Sequence, residues 1–121
     1  MSALPDERVL DLSRLEEAFE DDVNGIADLL EMALETGKKH RRGLEEGLAA
    51  GDAAQVAKSA HGIKGSAGNI GANVVYQLAT ELDQRARSGD LDGARERIDA
   101  IGSAYERVAD EVRAYRAALA R

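Results

Sequence analysis

A chain of 121 residues is large enough to bury one modest core and too small for a second, so one domain over 1–121 with one site is expected. A formal charge of −7 opposes a nucleic-acid backbone, and one Phe, three Tyr and no Trp leave little for bases to stack on. The absence of Cys excludes a disulfide framework, a thiolate metal site and a cysteine nucleophile, and the 32% of charged residues breaks up every apolar run that could cross a membrane.

The opening MSALPDERVL is acidic where an export signal needs a basic start and an apolar stretch, so a cytoplasmic protein is expected. A short amphipathic piece, about 12–20, comes first. A long helix over about 23–50 follows, carrying Ile26, Leu29, Leu30, Ala33, Leu44 and Leu48. Gly37, Gly43 and Gly47 fall inside it, each costing roughly 1 kcal/mol relative to Ala, so this is where the helix would bend or break. Its basic run Lys38-Lys39-His40-Arg41-Arg42 reads first as a solvated face and second as a docking patch for an acidic partner, although five consecutive residues on a helix cannot all face one way.

Gly51 and Asp52 then end one helix and cap the next, about 53–70, with Val56, Ala60, Ile63, Ala67 and Ile70 on its apolar stripe. Val75, Leu78, Ala79, Leu82 and Ala86 mark a helix over about 73–88. Ser88 and Gly89 stop it, and Asp90 is expected to cap a last helix over about 90–119. Its stripe runs through Leu91, Ala94, Ile98, Ile101, Tyr105, Val108, Val112, Tyr115 and Leu119 at steps of three and four. No segment has the period-2 pattern of a strand. The fold class expected is all-α, an antiparallel up-down-up-down four-helix bundle with a short additional N-terminal helix over one end.

The segment Ala60-His61-Gly62-Ile63-Lys64-Gly65-Ser66-Ala67-Gly68-Asn69-Ile70-Gly71 sets helical periodicity against helix-breaking glycines, and such a conflict tends to mark a functional position. His61, Lys64, Gly65 and Gly68 share a face beside the core stripe. The imidazole there should reach solvent, with the two glycines leaving a flat strip for another protein and Lys64 supplying charge for an anion on the ring. A neutral imidazole is a competent nucleophile at physiological pH, which suits phosphoryl transfer. Lys64-Gly65-Ser66 lacks the upstream glycine and strand of a nucleotide-binding loop, so the phosphoryl donor would be another protein. On the residues alone, His61 also reads as an ordinary surface histidine among glycines that let helices approach closely.

The segment resembles the signature of the histidine-phosphotransfer (HPt) family: a histidine, lysine at +3, glycine at +4, a small residue at +5 and a glycine near +10, met by His61, Lys64, Gly65, Ser66 and Gly71. The likeness extends to the order and length of the helices over nearly the whole chain. It implies a phosphocarrier without its own kinase domain, in which His61 takes the phosphoryl group, Lys64 helps hold its oxygens, and Gly65, Gly68, Ser66 and Lys58 lie on the face a receiver domain meets. The partners implied are receiver domains of hybrid histidine kinases and response regulators, with Mg²⁺ supplied by the receiver and no cofactor of the chain's own. A monomer is expected, with no membrane or nucleic-acid partner.

On the following helix the family often has a glutamate or glutamine near the histidine and a basic residue four positions later; Asp83 and Arg87 occupy those places. Asp83 departs from the pattern, and its shorter side chain is not expected to hydrogen bond to the imidazole. Two other readings are disfavoured. A histidine-kinase dimerisation helix pair would have an acidic residue directly after the histidine and a proline about a turn later. A bundle metal site using His40 and His61 would have a Glu three residues before each histidine.

Overall fold

The computed structural model describes residues 10–20 and 22–120; the acidic start at 1–9, on which the export reading rests, lies outside them. Five helices follow one another: α1 (Ser13–Ala18), α2 (Val23–Ala49), α3 (Ala53–Ile70), α4 (Asn73–Arg87) and α5 (Ala94–Leu119), with no strand among the described residues. None of these helices is long and apolar enough to cross a membrane.

Local chemistry sets most boundaries. The Asp22 carboxylate accepts the Gly25 N–H at 3.2 Å, and the Asp52 carboxylate accepts the Gln55 N–H at 3.1 Å, so α2 and α3 each begin on a capped turn. Gly71 closes α3 at φ +72, and a Cβ there would run into the Asp11 carbonyl. The Asp11 N–H donates to the Gly71 carbonyl at 2.9 Å, which ties the leading segment to the α3–α4 turn. Leu15 of α1, 6% exposed, and the flanking Leu10 and Leu12 then close that end of the core.

The last helix starts at Ala94 and not near 90. Asp90 does not cap it: the Asp90 carboxylate accepts the Asp92 N–H at 2.9 Å and shapes a turn, while Gly93, at φ +73, sits at the N-cap with no side-chain bond. Leu91 still packs on the core from within that turn.

α2 packs on α3, α3 on α4, α4 on α5 and α5 on α2, so the four long helices form a closed square around Ile26, Leu30, Leu44, Val56, Ile63, Val75, Leu82, Ile101 and Val108. α2 runs as one unbroken helix. Its glycines mark its contacts: a Cβ at Gly37 would lie 2.6 Å from Tyr105 ring carbons of α5, one at Gly47 2.9 Å from Val56 of α3, and one at Gly43 against Ser59 of α3. Packing on two sides outweighs the propensity cost.

The basic run divides. Lys38, Lys39 and Arg42 are exposed, the His40 ring rests against Gly62 of α3, and the Arg41 guanidinium lies 5.6 Å from the Tyr105 ring centroid. Outside the core, Arg116 of α5 pairs with Glu31 at 2.9 Å and Asp28 at 3.2 Å, and Arg95 pairs with Glu45 at 2.7 Å. Exposed pairs of this kind fix the register of α5 on α2 more than they stabilise it.

The Tyr105 hydroxyl is buried without a hydrogen-bond partner, and burial pushes its ionisation up to about 12 while Arg41 pulls the other way. A raised tyrosine value means that the fold excludes the phenolate. That contribution is complete below the unfolded value near 10 and is lost as pH rises toward about 12. Tyr105→Phe is therefore expected to leave urea stability at neutral pH unchanged or raise it by up to about 2 kcal/mol, and to flatten its decline between about pH 10 and 12. A loss above about 1 kcal/mol at neutral pH would mean that the hydroxyl has a partner.

Candidate functional site

Helix α3 buries Ala60, Ile63 and Ala67 and so turns His61 outward, with 67% of its side chain exposed. One turn on, nothing lies within 4 Å of where a Gly65 Cβ would sit. Gly68 differs, because Tyr76 ring carbons of α4 come 3.4 Å from its Cβ position and wall off the end of the strip. Lys58, one turn before His61, is exposed and joins Ala57, Asp83 and Arg87 around a shallow depression beside the imidazole. Ser66 points elsewhere, into the α2–α3 groove with Leu29, Met32, Thr36 and Asn69.

Across from His61, α4 presents Asp83, whose side chain is only 3% exposed. Its Oδ2 is shared by three groups: Arg87 Nη2 donates to it at 2.7 Å, Lys64 Nζ lies 3.7 Å away, and His61 Nδ1 also lies 3.7 Å away. The imidazole distance is too long for a hydrogen bond, as the short side chain leads one to expect. Oδ1 is buried and has no hydrogen-bond partner among the described residues. A second shallow depression opens on the other side of this carboxylate, lined by Lys64, Gln84, Arg87 and Ser88.

The structure thus brings His61, Lys64 and Arg87 together around one Asp83 oxygen, with Lys58 lining the depression beside them, and leaves Gly65 exposed on the same helix. A phosphoryl-sized anion on the imidazole would meet cations on two sides. No group of three or more His, Asp or Glu side chains among the described residues is arranged to hold a metal ion. His40 belongs to α2 and its ring lies against Gly62 of α3, whereas His61 is on α3 with 67% of its side chain exposed.

Sequence reasoning named Asp83 and Arg87 separately and missed that they are partners. The signal was present, because residues four apart on a helix with opposite charges pair readily. It also missed the contact between His40 and Gly62, for which linear spacing offers no cue.

A model of the Hpt domain family matches residues 28–117. Among solved structures, the chain is similar to histidine-containing phosphotransfer protein B of Pseudomonas aeruginosa, with a TM-score of 0.82 and 29% identity over 91% of this chain and 96% of that one. Comparison with curated proteins finds no match.

Burial against Gly62, and secondarily the Lys39 charge, lower the His40 ionisation below its ordinary value of 6.5. The unfolded chain then binds a proton more readily than the fold, so stability falls as pH drops below about 6.5. His40→Gln is expected to lose less stability than wild type between about pH 7 and pH 5 in urea titrations. Equal losses would remove His40 from the acid sensitivity of the fold.

Proposed function

The chain belongs to the Hpt domain family and serves histidine phosphotransfer in a phosphorelay, and we propose that His61 is the residue that carries the phosphoryl group. The observation that carries this reading is an imidazole 67% exposed beside a glycine with open space in its Cβ direction, on a helix otherwise committed to the core. Hpt domains interact with receiver domains. The specific partners proposed are receivers of hybrid histidine kinases and of response regulators, met by the chain as a monomer.

With Nδ1 turned toward Asp83, the remote ring nitrogen, Nε2, is the nucleophile. Its lone pair attacks the phosphorus of a receiver's aspartyl phosphate in line with the departing oxygen. An N–P bond forms as the P–O bond to the aspartate breaks. The reverse step delivers the group to the aspartate of a second receiver. Lys64, with 28% of its side chain exposed, and Arg87 offer charge-assisted hydrogen bonds to the phosphoryl oxygens. Gly65 lets the receiver's loop come close.

The residues around His61 do not suit a divalent cation of their own. Mg²⁺ seeks several oxygen ligands, and the one carboxylate here, Asp83, is already engaged by Arg87 and faced by Lys64. Mg²⁺ is accordingly assigned to the receiver.

Two outcomes test the reading. Mixed with phosphorylated receivers in Mg²⁺, wild type is expected to acquire acid-labile, alkali-stable label and His61→Gln none; label on the variant would move the site elsewhere. Gly65→Ala should raise stability by up to about 1 kcal/mol, because the site is open and Ala favours helix. Gly65→Gln, whose Cβ likewise enters open space, should slow receiver transfer while the domain stays folded. Transfer by Gly65→Gln at the wild-type rate would mean that no partner approaches that face.

A further inference from the structure

We propose that the α2–α5 edge of the bundle, centred on Arg41, is a docking site for an acidic segment of a partner protein, separate from the face that carries His61. In the square of four helices this edge lies opposite the α3–α4 edge. A partner held there leaves His61 free to meet a receiver.

The central observation is an arginine fixed in place without an acid to hold it. Arg41 Nη2 lies 2.9 Å from where a Gly102 Cβ would sit, and the three atoms nearest that position all belong to the Arg41 guanidinium group. Gly102 is the opening in α5 that receives it. One turn on, the Tyr105 ring centroid stands 5.6 Å from Arg41 Cζ, within cation–π range. Neither contact is a hydrogen bond, and no carboxylate among the described residues pairs with Arg41. Glu45, four residues further along α2, is engaged instead by Arg95, at 2.7 and 3.1 Å. An arginine already held in one position loses less rotamer freedom on binding, and its planar fork matches a carboxylate in a two-point contact.

The surroundings select the occupant. Shallow depressions open on both sides of Arg41, one bordered by Lys38, Arg42 and Glu46 of α2 and the other by Ile98 and Glu106 of α5. Lys38 is paired with Glu35 at 3.2 Å, whereas Arg42 is exposed and has no acidic partner among the described residues. Two neighbouring guanidinium groups are thus uncommitted on a chain that carries −7 overall. A small anion would occupy one depression, but a peptide segment laid across Arg41 reaches both and can bring a carboxylate to each free arginine. Glu46 and Glu106 at the rims oppose a dianion more than a single negative charge, which favours acidic side chains over a phosphate group. The basic run at 38–42 is therefore divided in its use: His40 packs inward on α3, and Arg41 and Arg42 serve the outer edge.

The test uses a short, blocked alanine peptide bearing several glutamates, with its glutamine counterpart as control. Each is titrated at low salt into the ¹⁵N-labelled full chain and followed by NMR. The glutamate peptide is expected to shift amides of α2 and α5 around Arg41 and Gly102, and the glutamine peptide to leave them in place. Gly102→Ala keeps every charge but puts a methyl group where the guanidinium rests, so binding should weaken about tenfold. Arg42→Gln, at an exposed position where folding is not at stake, should weaken it several-fold and carries the test if Gly102→Ala does not fold. Both variants should take phosphate from a free receiver at the wild-type rate. The proposal is overturned by an absence of shifts, by shifts confined to the α3–α4 face, or by equal binding to wild type and the folded variants. An equal response to inorganic phosphate at the same concentration would also overturn it, because the edge would then take any small anion.

Discussion

Helix α3 buries one face on both of its neighbours and leaves an adjacent, glycine-bearing face open, and the rest of the fold accommodates this conflict. Ala60, Ile63, Ala67 and Ile70 are fully or almost fully covered, while His61 and Gly65, within the same turns, are exposed. Three glycines inside the helix at positions 62, 65 and 68 would make it marginal in isolation. They are tolerated because α2 and α4 flank it and the Asp52 cap fixes its start. The three serve different ends. Gly62 admits the His40 ring, Gly68 admits the Tyr76 ring, and Gly65 admits nothing among the described residues.

The same economy governs charge. The ion pairs between α2 and α5 join exposed side chains that water would otherwise solvate. Asp83 is the opposite case, a buried carboxylate whose desolvation must be offset by cations that are themselves partly exposed. A well-packed apolar residue at that position would serve stability at least as well. A buried charge 3.7 Å from the imidazole is thus a cost that packing alone does not explain, and such costs concentrate at functional sites.

Much of this was legible in the sequence, because helical periodicity and end signals are local. The stripes through Val56 to Ile70 and Ile98 to Val112 became buried faces, and Asp52 became a cap. What escaped was non-local or context-dependent. Asp90 has the chemistry of a cap, but Gly93 three residues later offered a positive-φ stop that moved the start of α5 to Ala94. Gly37, Gly43 and Gly47 read as weak points because propensity counts only the helix that contains them; their cause lies on Tyr105, Ser59 and Val56 of other helices. The His61 face was visible in outline from the four-residue spacing, but the depth of Asp83 could be known only once α4 had been placed beside α3.

The sign of the local field against that of the whole molecule carries the argument furthest. The chain bears −7 overall, yet the groups around His61 are Lys58, Lys64 and Arg87 against the single acid Asp83. A phosphoryl group approaching an evenly acidic surface would be repelled. The cations gathered on the α3–α4 face give an anion a place to settle beside the imidazole.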